Sequence, residues 1–242
     1  MRTVFDCGIV FSIQKFSEFD AILKIFSKNN GKISLLARGF FRPKSKMIGV
    51  LQLFCETDFY FFPAKNEKSL CKLIRTENFS PPNFQPSPDF FLISEFCEKF
   101  CRENQSIPTF FNFLSEIRRA SDAKNLAVIF LVRALTIFGF FPDFKFCSKC
   151  GKKFSNFAFW KMSGEIFCEN CDNSGQKLNF SDIKVLKSYQ YFSLEISQKI
   201  LLEIKSYQKI LDFLFLILKN SHHTSFFSQK FFKNKKPESN FC

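Results

Sequence analysis

Four cysteines form two pairs whose spacing suits a metal ion. Cys147 and Cys150 lie three positions apart, and Cys168 and Cys171 repeat this spacing after seventeen intervening residues. Two thiolates three positions apart on a tight turn can point at one ion, and four complete the tetrahedral shell that zinc adopts. We therefore expect these four side chains to bind a structural Zn²⁺ in a zinc-ribbon-like segment.

A redox-active cysteine pair and a catalytic zinc site are the alternatives to a structural zinc site. A redox-active Cys-x-x-Cys pair needs a βαβ context, which the surrounding sequence does not supply. A catalytic zinc keeps one coordination position open for water, and four cysteines close it. Cys97 and Cys101 lie one helical turn apart and could share a ligand, but their pattern favours burial. We expect no enzymatic activity and assign no catalytic residue.

A second stretch of the chain is unusually basic. Residues 21–55 contain no Asp or Glu, and four cations crowd into residues 38–46 beside two phenylalanines. Arg and Lys can hold phosphates while aromatic rings stack on bases, so this combination suits single-stranded nucleic acid. The alternatives are a solvated basic loop and a loop that docks an acidic protein surface. The candidate nucleic-acid-binding residues are Arg38, Arg42, Lys44, Lys46, Phe40 and Phe41, with Lys24 and Lys32 as weaker candidates on the barrel face.

Composition limits the class of protein. The 242 residues are 46% hydrophobic, and 35 Lys and Arg against 22 Asp and Glu give a formal charge of +13. Such a charge predicts attraction to polyanions or to anionic membrane surfaces. No signal peptide is visible, and the apolar run at residues 210–218 is too short to span a bilayer. We expect a cytoplasmic protein that keeps its cysteines reduced.

The first third of the chain is typical of β structure. Asn29, Asn30 and Gly31 separate two apolar segments, and Asn-Gly is a strong hairpin signal because both residues tolerate positive φ. Five short strands in about 80 residues predict a small β-barrel. The predicted strands cover residues 4–14, 19–27, 32–37, 51–62 and 70–77.

Four prolines in residues 80–89 predict a linker between a first domain at residues 1–79 and a second at residues 90–242. Apolar residues then recur every three or four positions, as they do in amphipathic helices. We expect the basic polar tail from Ser221 onward to be disordered. The predicted helices cover residues 90–103, 108–120, 126–138, 181–193 and 194–219, with the zinc segment at residues 147–171 between the third and the fourth.

The order of these features resembles one family, the bacterial recombination-repair proteins called RecO. The resemblance extends over about residues 4–220, and it rests on the order and spacing of several short motifs. These motifs are Gly8-Ile9-Val10, Ser17-Glu18-Phe19-Asp20, Gly31-Lys32-Ile33, Ala37-Arg38-Gly39, Arg42-Pro43-Lys44-Ser45-Lys46, Leu51-Gln52, Phe138-Gly139-Phe140-Phe141-Pro142-Asp143 before Cys147-x-x-Cys150-Gly151, and Gly164 before Cys168-x-x-Cys171.

The resemblance implies an α+β protein with an N-terminal OB-fold barrel and a helical domain that carries a zinc motif. It implies a DNA-binding recombination mediator in DNA repair, which binds single- and double-stranded DNA and anneals complementary strands. The implied partners are RecR and the acidic C-terminal tail of single-strand-binding protein, and indirectly RecA, which is loaded with the help of RecR. The implied location is the nucleoid. Phe40 and Phe41 depart from the family pattern, in which small or basic residues are more frequent.

Two other functions are alternatives to this one, and the sequence supports them unequally. An RNA-binding or translation-associated protein with an OB barrel and a zinc ribbon would have the same charge pattern. A metal-dependent hydrolase would need a cluster of Asp, Glu and His, and the sequence supplies no recognisable one.

Overall fold

The computed structural model describes residues 2–64, 69–83, 87–119, 125–154, 156–200, 202–222 and 226–233. The chain divides into two compact units, Met1–Asp122 and Ala123–Cys242. The first unit therefore extends past the predicted linker at residues 80–89, because two helices that follow the linker pack on the barrel.

Five strands of the first unit form a closed barrel in the order β1-β2-β3-β5-β4. Neighbouring strands are antiparallel except β3 and β5, which pair in parallel at Leu35 with Cys71. The predicted five-stranded barrel is therefore confirmed. The strands are β1 Val4–Lys15, β2 Ala21–Ser27, β3 Gly31–Ala37, β4 Glu56–Phe62 and β5 Cys71–Ser80, and the short helix α1 spans Met47–Val50.

Alternating side chains fill the barrel, as strand periodicity requires. The core includes Leu23, Ile25, Leu35 and Phe59, each of which is fully buried. The strand predicted at residues 51–62 begins later than expected, at Glu56. Its first part turns instead, because Phe54 adopts a left-handed conformation with φ of 62° and is itself buried.

The β2–β3 hairpin is stabilised by a buried carboxylate. Asp6 accepts hydrogen bonds from the side-chain amides of Asn29 at 2.8 Å and Asn30 at 2.6 Å, and from the Ser27 hydroxyl. Gly31 has φ of +68°, and a Cβ there would lie 1.9 Å from the backbone oxygen of Gln105. The Asn-Gly signal thus marks both the turn and a close approach of another segment.

Helices α2 (Pro88–Phe100) and α3 (Pro108–Ile117) pack against the first unit's barrel. The Phe26 ring on β2 meets the Phe110 ring of α3 edge-on, with centroids 5.2 Å apart. Ser34 on β3 donates to Glu103 at 3.4 Å, and the backbone N–H of Asn104 donates to Lys32 O at 3.0 Å. The part of the outer β2–β3 face around Lys32 and Ser34 is therefore covered by protein.

Arg118 joins the end of α3 to the barrel. Its guanidinium is buried, donates to Glu56 Oε2 at 2.6 Å and to the carbonyls of Ser80 and Pro81 at 3.0 and 3.1 Å. Burial acts to raise the pKa of the Glu56 carboxyl, but hydrogen bonds from Ser115 and Arg118 lower it below its ordinary value. A lowered pKa means that this carboxylate stabilises the fold at neutral pH, and that the stabilisation is lost as the pH falls through the folded-state pKa.

The second unit is built around α4, which is apolar on nearly every face and almost wholly buried, as predicted. A three-stranded sheet of order β7-β6-β8 interrupts the helices. The elements are α4 Leu126–Ile137, β6 Phe157–Trp160, β7 Ile166–Cys168, β8 Gln176–Asn179, α5 Phe180–Tyr191, α6 Leu194–Lys199, α7 Ile204–His222 and α8 Gln229–Lys233.

Two helical predictions need correction. The helix predicted at residues 194–219 is divided into α6 and α7, because Ile200 has an extended backbone that ends α6. The tail predicted to be disordered contains α8, whose Phe232 and the preceding Phe226 are buried near Phe215. Residues 223–225 and 234–242 of that tail lie outside the described residues. No helix in the described part of the chain is long and apolar enough to cross a membrane.

We predict that Arg118→Ala lowers the free energy of unfolding by about 3–5 kcal/mol, because it removes the buried cationic partner of Glu56 and the donor to two backbone carbonyls. Urea denaturation of the full chain measures the change. Arg102→Ala is the matched control, since Arg102 is exposed and the same charge is removed. Equal losses in the two variants would contradict the role of Arg118.

Candidate nucleic-acid interface and metal centre

A basic groove of about 740 Å³ lies beside the loop that follows β3. The structure brings all four strongest cationic candidates, Arg38, Arg42, Lys44 and Lys46, to this groove, and each of them is exposed. The other residues that line it are Gly39, Ser45, Met47, Val50, Ile74, Arg75, Thr76 and Phe79.

The loop is held by the turn between β1 and β2. Gly39 donates its backbone N–H to Asp20 Oδ1 at 2.8 Å, and Phe41 donates to the Phe19 carbonyl at 2.9 Å. Arg42 then closes a tight turn by donating to Gly39 O at 3.2 Å, and Gly39 has φ of +67°. These bonds fix the backbone so that the flanking basic side chains face one concave surface.

The charge of the loop is not neutralised locally, whereas Arg75 on β5 pairs with Glu77 at 3.4 Å. No carboxylate is present among the described residues that line the groove. Within the described ranges, none of the four loop cations forms an ion pair. Cations that lack protein partners keep their full attraction for phosphate, so the groove can bind a polyanion.

Strand β5 supplies groove residues that the sequence analysis missed. Ile74 is 44% and Phe79 is 38% exposed, and Arg75 lies between them along the strand. They reach the loop because β5 pairs with β3, and the loop begins where β3 ends. The relevant signal was the strand order, because in this barrel the fifth strand lies between the third and the fourth.

The two loop phenylalanines do not serve as exposed rings. Phe40 is 2% exposed and belongs to the barrel core, and Phe41 is half-buried against the same core. Their ring centroids are 5.0 Å apart in an edge-to-face arrangement. The prediction that Phe40 stacks on a base is therefore corrected, because its ring anchors the loop to the barrel.

The two weaker cationic candidates are committed to packing of α2. Lys24 Nζ lies 2.5 Å from Glu98 Oε1, and Lys32 Nζ donates to the Glu98 carbonyl at 2.9 Å. Lys32 is 9% exposed and lies 4.0 Å from a Glu103 carboxylate oxygen. The prediction of a phosphate-binding role for Lys24 and Lys32 is corrected, because both amines face protein.

The four predicted metal-binding cysteines come together in the second unit. The sulfur atoms of Cys147, Cys150, Cys168 and Cys171 all lie within 4.8 Å of one another, and Cys150 and Cys168 are 3.8 Å apart. A tetrahedron with metal–sulfur bonds of 2.3 Å has edges of about 3.8 Å, so the cluster can hold a metal ion. It is the one such group found in the described part of the chain.

Backbone donors favour thiolate at the cluster. Burial acts to raise the pKa of the Cys147 thiol, but N–H groups of Cys150, Cys168 and Lys149 outweigh burial and lower it to about 6. Hydrogen bonds with Cys168 and Cys150 raise the pKa of Cys171 to about 12, because neighbouring sulfurs already carry the negative charge. A cation that displaces the shared protons relieves this competition.

The cysteine cluster is connected to the core of its unit through β6. Cys168 ends β7, which pairs with β6 in the register Ala158 with Cys168. Trp160 on β6 is buried and meets Phe213 of α7 edge-on, with centroids 5.6 Å apart. The β6–β7 hairpin fits the predicted zinc-ribbon-like segment, and β8 adds a third strand to it.

Two family models match this sequence. The model described as Recombination protein O N terminal matches residues 1–81, and the model described as Recombination protein O C terminal matches residues 91–223. The chain belongs to the RecO family. The matched regions are separated at residues 82–90, whereas the compact units of the structure divide after Asp122.

Curated relatives support the same assignment and are named DNA repair protein RecO. One from Listeria monocytogenes serotype 4b is 29% identical over 201 residues, which cover 78% of this chain and 77% of the relative. One from Acetivibrio thermocellus is 29% identical over 215 residues, which cover 81% and 85%. One from Streptomyces griseus is 29% identical over 182 residues, which cover 69% and 73%. This RecO family member is thus a DNA repair protein with an N-terminal OB-fold barrel.

We predict that Phe40→Ala destabilises the first unit by about 3–5 kcal/mol, because it removes a buried ring from a packed core. Phe40→Leu keeps most of the apolar volume, so we expect it to cost less than about 1.5 kcal/mol. Chemical denaturation measures both changes. Binding of single-stranded DNA by Phe40→Leu should match the unmodified protein, and a marked loss of affinity would show that the ring contacts DNA.

Proposed function

We propose that this RecO family member is a non-catalytic DNA-binding recombination mediator. It binds single- and double-stranded DNA through the basic groove and anneals complementary strands. The observation that carries this proposal is the set of four exposed cations, without protein counter-ions among the described residues, along one groove. The exposed apolar side chains on the β5 side of the groove suit the unstacked bases of a single strand.

The proposed annealing needs charge neutralisation rather than a nucleophile. Two complementary strands repel through their phosphates, and bound cations reduce that repulsion by displacing counterions. Arg38 and Arg42 can each hold a phosphate in a bidentate fashion, while Lys44 and Lys46 act as point charges. Strands held side by side then pair through their own bases.

The proposed partners follow from family membership. They are RecR, the acidic C-terminal tail of single-strand-binding protein and, indirectly, RecA, which the protein would help RecR to load on coated single strands. The proposed location is the cytoplasm, in association with the nucleoid. The chain has 35 basic and 22 acidic residues, and this net positive charge supports attraction to both DNA and an acidic peptide.

The proposed metal is zinc, and its proposed role is structural. Four thiolates at tetrahedral spacing match zinc and leave no position open for water. Bound zinc would fix the β6–β7 hairpin, and that hairpin carries the Trp160 ring that packs against α7. The metal takes no part in the proposed DNA binding.

We predict that the triple variant Arg42→Ala, Lys44→Ala, Lys46→Ala binds single-stranded DNA more weakly and with a flatter salt dependence. Each lost phosphate contact should reduce the slope of log affinity against log salt concentration by about 0.7, which gives about 2 for three contacts. Fluorescence anisotropy titrations of a labelled oligonucleotide at several salt concentrations measure the slope.

The matched control removes three exposed cations elsewhere, with the substitutions Lys28→Ala, Arg102→Ala and Lys205→Ala. Its slope should stay close to that of the unmodified protein. An unchanged slope in the groove variant would contradict the proposed site. Competition between DNA and RNA strands of equal length tests the alternative of an RNA-binding protein, which a clear preference for RNA would support.

We predict that Cys150→Ser abolishes stoichiometric zinc binding and lowers the melting temperature of the second unit, because metal-binding energy contributes to folding. Calorimetry, together with zinc measured by elemental analysis, checks both. Cys71→Ser in the barrel is the control and should retain zinc. Unmodified protein that contains no zinc and melts like Cys150→Ser would contradict a structural zinc.

A further inference from the structure

An aromatic ladder lies on the outside of the barrel next to the basic groove. It consists of Phe5 on β1, Tyr60 on β4 and Arg75 on β5. Phe5 pairs with Tyr60 across one strand boundary, and Tyr60 pairs with Arg75 across the next. The three side chains therefore form one continuous row across three strands, and of the three only Arg75 also lines the groove.

The side chains of the ladder contact one another in turn: Phe5 and Arg75 are exposed, and Tyr60 between them is half-buried. The rings of Phe5 and Tyr60 have centroids 5.0 Å apart at an angle of 50°, and the guanidinium carbon of Arg75 lies 4.1 Å from the Tyr60 centroid. Phe5 is 54% exposed, so a large part of this apolar side chain is open to solvent. Such a surface offers flat faces on which bases can stack.

Arg75 makes the ladder continuous with the groove. The same side chain lines the basic groove and covers the Tyr60 ring. Adjacent strands are about 4.8 Å apart, so a path from Arg75 to Phe5 crosses about 10 Å. A single strand that leaves the groove over Arg75 meets Tyr60 and then Phe5.

Charges beside the ladder define where the phosphates can run. Arg2 and Lys72 are exposed at the end of the face where Phe62 pairs with Lys72. At the other end Asp58 pairs with Glu77, and Glu77 lies 3.4 Å from Arg75. The carboxylates repel phosphates from their end, so the backbone of a bound strand lies toward Lys72.

Coverage of the β2–β3 face strengthens the assignment of this surface. OB-folds commonly bind oligonucleotides on the face of their second and third strands. Here Lys24 and Lys32 of that face hold Glu98 of α2, so half of it is covered by protein. An exposed aromatic row on β1, β4 and β5 supplies the stacking surface that the covered half cannot supply.

We propose that the ladder of Phe5, Tyr60 and Arg75 is a base-stacking platform that extends the groove and makes it selective for single-stranded DNA. This inference rests on the proposed function of the groove. A base from the strand stacks on the exposed Phe5 ring, while Arg75 is held by Glu77 and stays over the Tyr60 ring. Bases inside a duplex are already stacked and cannot use the platform.

The test compares Phe5→Ala with Phe91→Ala, whose ring on α2 is 52% exposed. We expect Phe5→Ala to weaken binding of an oligothymidine strand by about fivefold or more, with an unchanged salt slope and unchanged duplex affinity. Phe91→Ala should bind both ligands as the unmodified protein does. Arg75→Lys keeps the charge but loses the planar stack, so it should also lose single-strand affinity.

The outcomes separate the platform from the groove. Equal single-strand affinities for Phe5→Ala and Phe91→Ala would overturn the platform, whatever the groove variant does. If the triple groove variant still flattens the salt dependence, the proposed function stands without the platform. Equal losses of single-strand and duplex affinity in Phe5→Ala would also overturn it, because stacking acts on single strands alone.

Discussion

The packing of α2 on one side of the barrel is the constraint on which the proposed binding surface depends. Glu98 holds both Lys24 and Lys32, and this pairing removes two cations from the exposed surface. A partly buried ion pair contributes little net stability by itself, but leaving one partner unpaired is costly. The pair therefore favours α2 in this position, and in the proposed function it leaves the loop that follows β3 as the basic surface for a polyanion.

The strand order of the barrel places β5 on the other side of the groove from that loop. Because β3 and β5 are parallel neighbours, the loop that leaves β3 runs beside the outer residues of β5. Cations from one segment and apolar side chains from the other then share a groove, although they lie about thirty positions apart in the sequence. In the second unit the proposed role of the cysteine cluster is structural, since its hairpin carries a ring that packs on α7.

Short-range signals in the sequence were reliable. The cysteine spacing, the Asn-Gly turn and the apolar α4 segment each depend on residues that are close in the chain, and the structure places all three as expected. Long-range packing could not be read in the same way. A lysine on a strand has the same local pattern whether it faces solvent or Glu98, and Phe40 has the same pattern whether its ring is exposed or anchors the loop. The contribution of β5 required knowledge of which strands pair at closure.

Hydrogen–deuterium exchange of the full chain, with and without a saturating oligothymidine strand, tests most directly where DNA lies. The account predicts slower exchange in residues 38–47 and 74–79 when DNA is bound, since these segments line the groove. It predicts no change in β2 or in α2, where protein already covers the face. Protection confined to β2 and α2, with none in the groove segments, would contradict the account.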